Sequence, residues 1–134
     1  MIFELFLNTL PQTQTEKGPI RPLRGRDTYA GHELQQIWRK DNVAVFARSF
    51  PGKPPHEYEV IIIRILPAAL APGDIIVPRR EAYPSSDRWG ELGWSIPKLD
   101  LAIAWAEMVL VNLGQPEKER SAWPELFSRF KAKL

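Results

Sequence analysis

The rhythm of apolar and polar positions changes several times along this chain. Residues 2–10 form a short apolar run whose period does not separate a strand from a helical turn. Residues 11–33 are polar and contain Pro and Gly, with Arg21, Arg24 and Arg26 spaced around Pro22 and Gly25. That is long for a connection inside a compact domain, so a solvated mobile linker or a functional segment is expected there. A hairpin follows: Leu34–Arg39 and Val43–Phe50 flank Lys40-Asp41-Asn42, and Asp-Asn suits a tight turn. In its second strand Val43, Val45 and Ala47 share one face, and Ala44, Phe46 and Arg48 the other. Tyr58–Leu66 is β-branched almost throughout and apolar on both faces, as a central strand covered on both sides should be. Arg64 interrupts it and must reach an edge or a carboxylate. Pro67–Gly73 is expected to turn, and Asp74–Val77 to form a short fourth strand stopped by Pro78.

The stretch Arg79–Trp94, RREAYPSSDRWGELGW, separates these strands from helical patterning. Ser95 is expected to cap a helix with Pro97 in its first turn, running to about Leu113 before Gly114 and Pro116. Leu99, Ile103, Ala106 and Leu110 make it apolar nearly all round. Such a helix is buried on more than one side or covered by a partner. A last helix starts near Ser121 or Pro124. It carries Trp123, Leu126, Phe127, Phe130 and Leu134 on one face, and Arg129, Lys131 and Lys133 at its C-terminal turn. Strands come first and helices last. The expected fold is α+β: an antiparallel sheet of about four strands packed by a long buried helix and a C-terminal amphipathic helix.

The 134 residues argue for one domain over 1–134, and 44% hydrophobic with 25% charged is a globular composition. Cysteine is absent. That excludes disulfides, thiol catalysis and Cys-type zinc sites, and it fits a reducing, cytoplasmic location. The apolar start lacks a basic leader and contains Glu4, so it reads as a first structured element and not a signal peptide. No run approaches ~18 uncharged apolar residues, and no membrane span is expected.

Catalytic signatures are sparse. His32 and His56 have no metal-ligand spacing, and there is no G-x-S-x-G elbow, Walker loop or G-x-G-x-x-G. Neither a metal nor a cofactor is expected. Ser85-Ser86-Asp87 suits a local turn. The aromatics of the connecting stretch need burial, which makes Trp89, Trp94 and Tyr83 candidate structural anchors. The arginines are then free for an acidic partner. Arg79, Arg80 and Arg88 would form a basic rim on nucleic-acid phosphates, joined by Arg21, Arg24 and Arg26. A metal-free ribonuclease could instead use Arg79, Arg80, Glu81, Tyr83, Arg88 and His56 to neutralise a phosphate and move a proton.

Arg88-Trp89-Gly90-Glu91-Leu92-Gly93-Trp94, set between strands and a helix, resembles the signature of WGR domains. The resemblance implies a strand in a small sheet with a following helix, and contact with nucleic acid. Glu91 stands where that family has arginine, which puts the nucleic-acid contact in doubt. A wider pattern is similar to small uncharacterised proteins of bacteria, plasmids and phages. It comprises Tyr58-Glu59-Val60, Tyr83-Pro84-Ser85-Ser86, Trp89-Gly90 and Gly93-Trp94-Ser95. The resemblance implies a compact domain and no particular activity. The expected function is a cofactor-free binding module of mobile-element type, associated with nucleic acid. The alternatives are a protein–protein or homodimer module and, third, the metal-free ribonuclease.

Overall fold

The computed structural model describes residues 19–134, so the apolar run 2–10 and residues 11–18 lie outside the described residues. The sequence reading treats the chain as one domain. Within it there are two compact units, a larger one of Gly25–Ile63 with Pro84–Leu134 and a smaller one whose described residues are 19–24 and Arg64–Tyr83.

The larger unit is built on five antiparallel strands: β1 (Arg26–Tyr29), β2 (His32–Lys40), β3 (Val43–Ser49), β4 (Glu57–Ile62) and β9 (Gly93–Ile96), in the spatial order β1-β2-β3-β4-β9. The α+β class therefore holds, with five strands in the main sheet. Two tight turns set the first registers. Ala30 and Gly31 have φ of 51° and 80°, the conformation a two-residue hairpin turn requires, and they place Tyr29 opposite His32. Asp41, at φ 54°, starts the β2–β3 turn expected from Asp-Asn. Ile37 is an extra residue in β2, where the register slips between Gln36 and Trp38. The bulge moves Trp38 onto the face of Val45, where it packs on the core.

Every residue from Val43 to Ala47 is buried, so both faces of β3 are covered as its composition demands. On one face Val43, Val45, Val60, Ile62, Trp94 and Ile96 meet α1 (Leu99–Gly114) through Ala102, Trp105, Ala106 and Val109. The helix starts four residues later than its expected cap. Ser95 lies in β9, and its neighbours Trp94 and Ile96 are drawn into the sheet opposite Val60 and Tyr58. The second layer over α1 comes from the same chain. In α2 (Trp123–Ala132), Phe127 and Phe130 stand 4.9 and 5.2 Å from the Trp105 ring, and Trp123 stands 5.3 Å from Trp94. Asn112 fastens the intervening segment, accepting from Ser121 N–H at 2.9 Å and donating to its carbonyl at 3.1 Å.

The expected strand Tyr58–Leu66 is broken. β4 ends at Ile62, Ile63 donates its N–H to the Asn42 carbonyl at 2.7 Å, and Arg64 opens β5 (Arg64–Leu66) in the smaller unit. The cause is the residue that interrupts the apolar run: a guanidinium does not fit between two covered faces. In the smaller unit β5 pairs with β8 (Arg80–Ala82), and Arg21 runs parallel beside Arg80. The residues expected as a plain turn contain β6 (Ala69–Ala71), which forms a hairpin with β7 (Ile75–Val77). The described part of 11–33 is likewise not only linker, since Arg26–Tyr29 is a paired strand.

Candidate nucleic-acid interface

Backbone pairing decides which arginines of the smaller unit come together. Arg21 donates its N–H to the Arg79 carbonyl at 2.8 Å and accepts from Glu81 at 2.9 Å, which pairs Arg21 with Arg80. Arg80 in turn faces Leu66, and Arg64 faces Ala82. Paired residues point to the same side of a sheet, and so do residues two apart on a strand. Arg21, Arg80 and Arg64 therefore share one face of a three-stranded patch. Diagonal neighbours in such a patch are ~7–8 Å apart.

None of these three side chains makes a hydrogen bond or ion pair with a described residue. Two of their nitrogens, Arg64 Nε and Arg80 Nη1, are withdrawn from solvent without a partner. A buried donor left unsatisfied costs about 1–3 kcal/mol, and more when it carries charge. An anion on this face would offset the repulsion among three like charges.

The remaining candidate residues have other settings. Arg88 is bound to Glu91 at 2.8 Å within its own turn, so much of its charge is answered locally. It belongs to the larger unit, whereas Arg79 and Arg80 belong to the smaller one. Arg24 is exposed and Arg79 half-buried. Arg26, in β1, borders an open groove of about 480 Å³ together with Gln35, Ser49 and Lys53. Trp94 is 2% exposed and central to the core, whereas Trp89 is half-buried and donates its Nε1–H to Ser95 Oγ at 3.0 Å. Tyr83 is half-buried. Of the ribonuclease set, His56 and Arg88 lie in the larger unit and Arg79, Arg80, Glu81 and Tyr83 in the smaller.

One constellation was not legible from spacing. His32 at the start of β2, Arg48 near the end of β3, Phe50 just beyond it and His56 before β4 all lie at one end of the sheet. His32 and His56 are 5.4 Å apart between ring centroids, and Phe50 lies 4.5 Å from the first and 4.9 Å from the second. Arg48 binds Glu59 at 3.3 Å, with Glu57 at 3.8 Å, and its Nη2 lies 3.2 Å from His32 Nδ1. Arginine only donates. That contact therefore makes Nδ1 an acceptor and leaves the imidazole proton on Nε2. Hydrogen-bonding register, and not sequence proximity, assembles these groups.

Among the described residues no group of three or more His, Asp or Glu side chains is arranged to hold a metal ion. No described helix is long and apolar enough to cross a membrane. Comparison of the chain with protein-family models, with curated proteins and with solved structures gave no match, so the geometry of its own side chains carries the functional argument.

Proposed function

We propose that this chain is a cofactor-free module that binds nucleic acid through its phosphates, with Arg21, Arg64 and Arg80 as the main contacts. Arg79 and Arg24 flank this face in sequence. The supporting observation is the set of three guanidinium groups on one face without a carboxylate partner among the described residues, two of them with unsatisfied nitrogens. Guanidinium is weakly hydrated and matches two phosphate oxygens at once, which suits it to such a face. Arg64 was marked in the sequence only as a misfit; on this reading its place outside the core is its use.

The homodimer reading has less support. It relied on the apolar face of Trp123, Phe127 and Phe130, and these rings pack on Trp94 and Trp105 within the chain. The ribonuclease reading also has less support. Its residues divide between the two units, His56 and Arg88 in the larger and Arg79, Arg80, Glu81 and Tyr83 in the smaller, and no observation favours their acting together. A cysteine-free module that acts on nucleic acid suits a reducing compartment such as the cytoplasm, and a mobile-element product would work there.

The test is binding of labelled single-stranded and duplex oligonucleotides, followed by anisotropy at low salt. Wild-type protein is expected to bind, with a loss on Arg21→Ala or Arg80→Ala and little change on Arg88→Ala. Equal binding by all four proteins, or none by wild type, contradicts the proposal.

A further inference from the structure

Two ladders of the smaller unit belong to one hairpin. β5 pairs with β8 as far as Leu66 and Arg80, and β6 pairs with β7 from Ala69 and Val77 onward. Pro67-Ala68 on one strand and Pro78-Arg79 on the other fill the gap with two residues each, so the register runs through it unchanged. Proline has no N–H to give, which is why the ladder lapses there. Residues 64–82 are therefore a single two-stranded ribbon. It is closed by the turn Pro72-Gly73-Asp74, in which Gly73 and Asp74 have φ of 82° and 61°.

The ribbon has two chemically different ends. Its base carries Arg64 and Arg80, with Arg21 paired beside Arg80. Its tip is apolar and open: Ile75 is 62% and Ile76 38% exposed, and Pro72 across the turn is exposed too. Adjacent apolar side chains left in water at a hairpin tip are the kind of surface that binding covers. At ~3.3 Å per residue, the four steps from Arg80 to Ile76 keep the tip within roughly 13 Å of the arginine base. Apart from Asp74 in the turn, no side chain from Ala69 to Val77 can hydrogen-bond, so the tip cannot read base edges.

A partner must satisfy both ends. Arginines without a carboxylate partner require a polyanion. Pro67, Pro72 and Pro78 interrupt the edges along which a protein strand would pair. An anionic lipid surface also offers charge above an apolar layer. Yet the two isoleucine side chains hold fewer carbons than one myristoyl chain, which by itself binds membranes only marginally. Duplex DNA needs less apolar surface: single isoleucine or proline side chains enter a minor-groove base step and kink it. The floor of that groove lies ~7.5 Å deep, within reach of a tip whose base stays at the phosphates. We infer that the 64–82 ribbon is a minor-groove wedge, with Ile75 and its neighbour Ile76 entering a base step while Arg64 and Arg80 hold the flanking phosphates. This rests on the nucleic-acid reading above and names bent duplex DNA as the form recognised. Selectivity then follows the ease of kinking, which is greatest at pyrimidine–purine steps.

The experiment adds the full chain to a DNA duplex of about 25 base pairs carrying a donor dye at one end and an acceptor at the other. Wild-type protein is expected to bind and to raise energy transfer, because a kink brings the ends together. A duplex with a central TA step should bind roughly tenfold more tightly than a stiff A-tract of equal length. Ile75→Ser should remove both the rise and that preference, and it should keep the salt dependence that the arginines supply. Ile75 is largely exposed, so the variant keeps its fold, which circular dichroism checks. Binding with unchanged energy transfer, or equal bending by the Ile75→Ser protein, overturns the wedge and leaves the arginine face standing. Binding to single strands alone does the same. Ile75-dependent binding to phosphatidylserine vesicles in place of duplex overturns it in favour of a lipid surface. No binding of any oligonucleotide by wild type removes the arginine face as well.

Discussion

The indole of Trp89 covers the α-carbon of Gly93 so closely that a β-carbon there would stand 2.5 Å from Trp89 Cζ3. Gly90 N–H reaches the Gly93 carbonyl at 2.7 Å, and the Trp89 Nε1–H reaches Ser95. The Trp-Gly…Gly-Trp-Ser string is therefore a self-packing turn. One tryptophan lies over the strand and the other, Trp94, lies beneath it in the core.

Gly93→Ala should accordingly destabilise the protein by about 1–3 kcal/mol, because the ring cannot yield without losing its bond to Ser95. Gly93 has an ordinary negative φ and is itself buried, so the cost arises from overpacking and not from backbone strain. Urea unfolding checks it: the midpoint should fall with an unchanged slope. A midpoint equal to wild type would show that the indole moves aside freely.

Trp105 is fully buried, and its Nε1–H has no partner among the described residues. Trp105→Ala should cost about 3–5 kcal/mol through the cavity it opens beneath Phe127 and Phe130. Trp105→Phe should cost under about 2 kcal/mol, because the unsatisfied donor leaves with the indole. Equal losses for the two variants in thermal unfolding would contradict this account of the core.

Asn112 is 6% exposed, and its amide makes two bonds to the Ser121 backbone. Asn112→Ala should cost about 1–3 kcal/mol by stranding those backbone groups. Hydrogen exchange locates the effect: protection is expected to fall in α2 and the segment before it, while β3 and β4 keep theirs. Uniform loss across the sheet would mean that α2 unfolds only with the whole domain.

Legibility from sequence followed local chemistry. The Asp41-Asn42 hairpin, the alternation of β3 and the α2 face of Trp123, Phe127 and Phe130 each repeat a period that side chains enforce nearby. β1 and β6 were missed because a four-residue Arg-Asp-Thr-Tyr and a three-residue Ala-Leu-Ala carry too few alternations to show a period. Ser95 read as a helix cap because serine before proline has that chemistry, yet burial of Trp94 and Ile96 draws it into β9. Arg64 is visible as a misfit, but its neighbours Arg21 and Arg80 are not, since only backbone pairing joins them, Arg80 with Leu66 and Arg21 with Arg80. His32 and His56 are likewise distant in sequence and meet only through the strand register.

The salt dependence of oligonucleotide binding tests the central claim most directly. Each phosphate contact contributes about 0.7 to the slope of log K against log salt on a single strand and about 0.9 on duplex. Removing Arg21, Arg64 and Arg80 together, each by substitution to Ala, should therefore lower the slope by roughly 2–3 and weaken binding at low salt most. The Arg88→Ala protein should keep the wild-type slope. A triple variant that remains folded and binds with the wild-type affinity and slope would contradict the claim that these three guanidinium groups hold the phosphates.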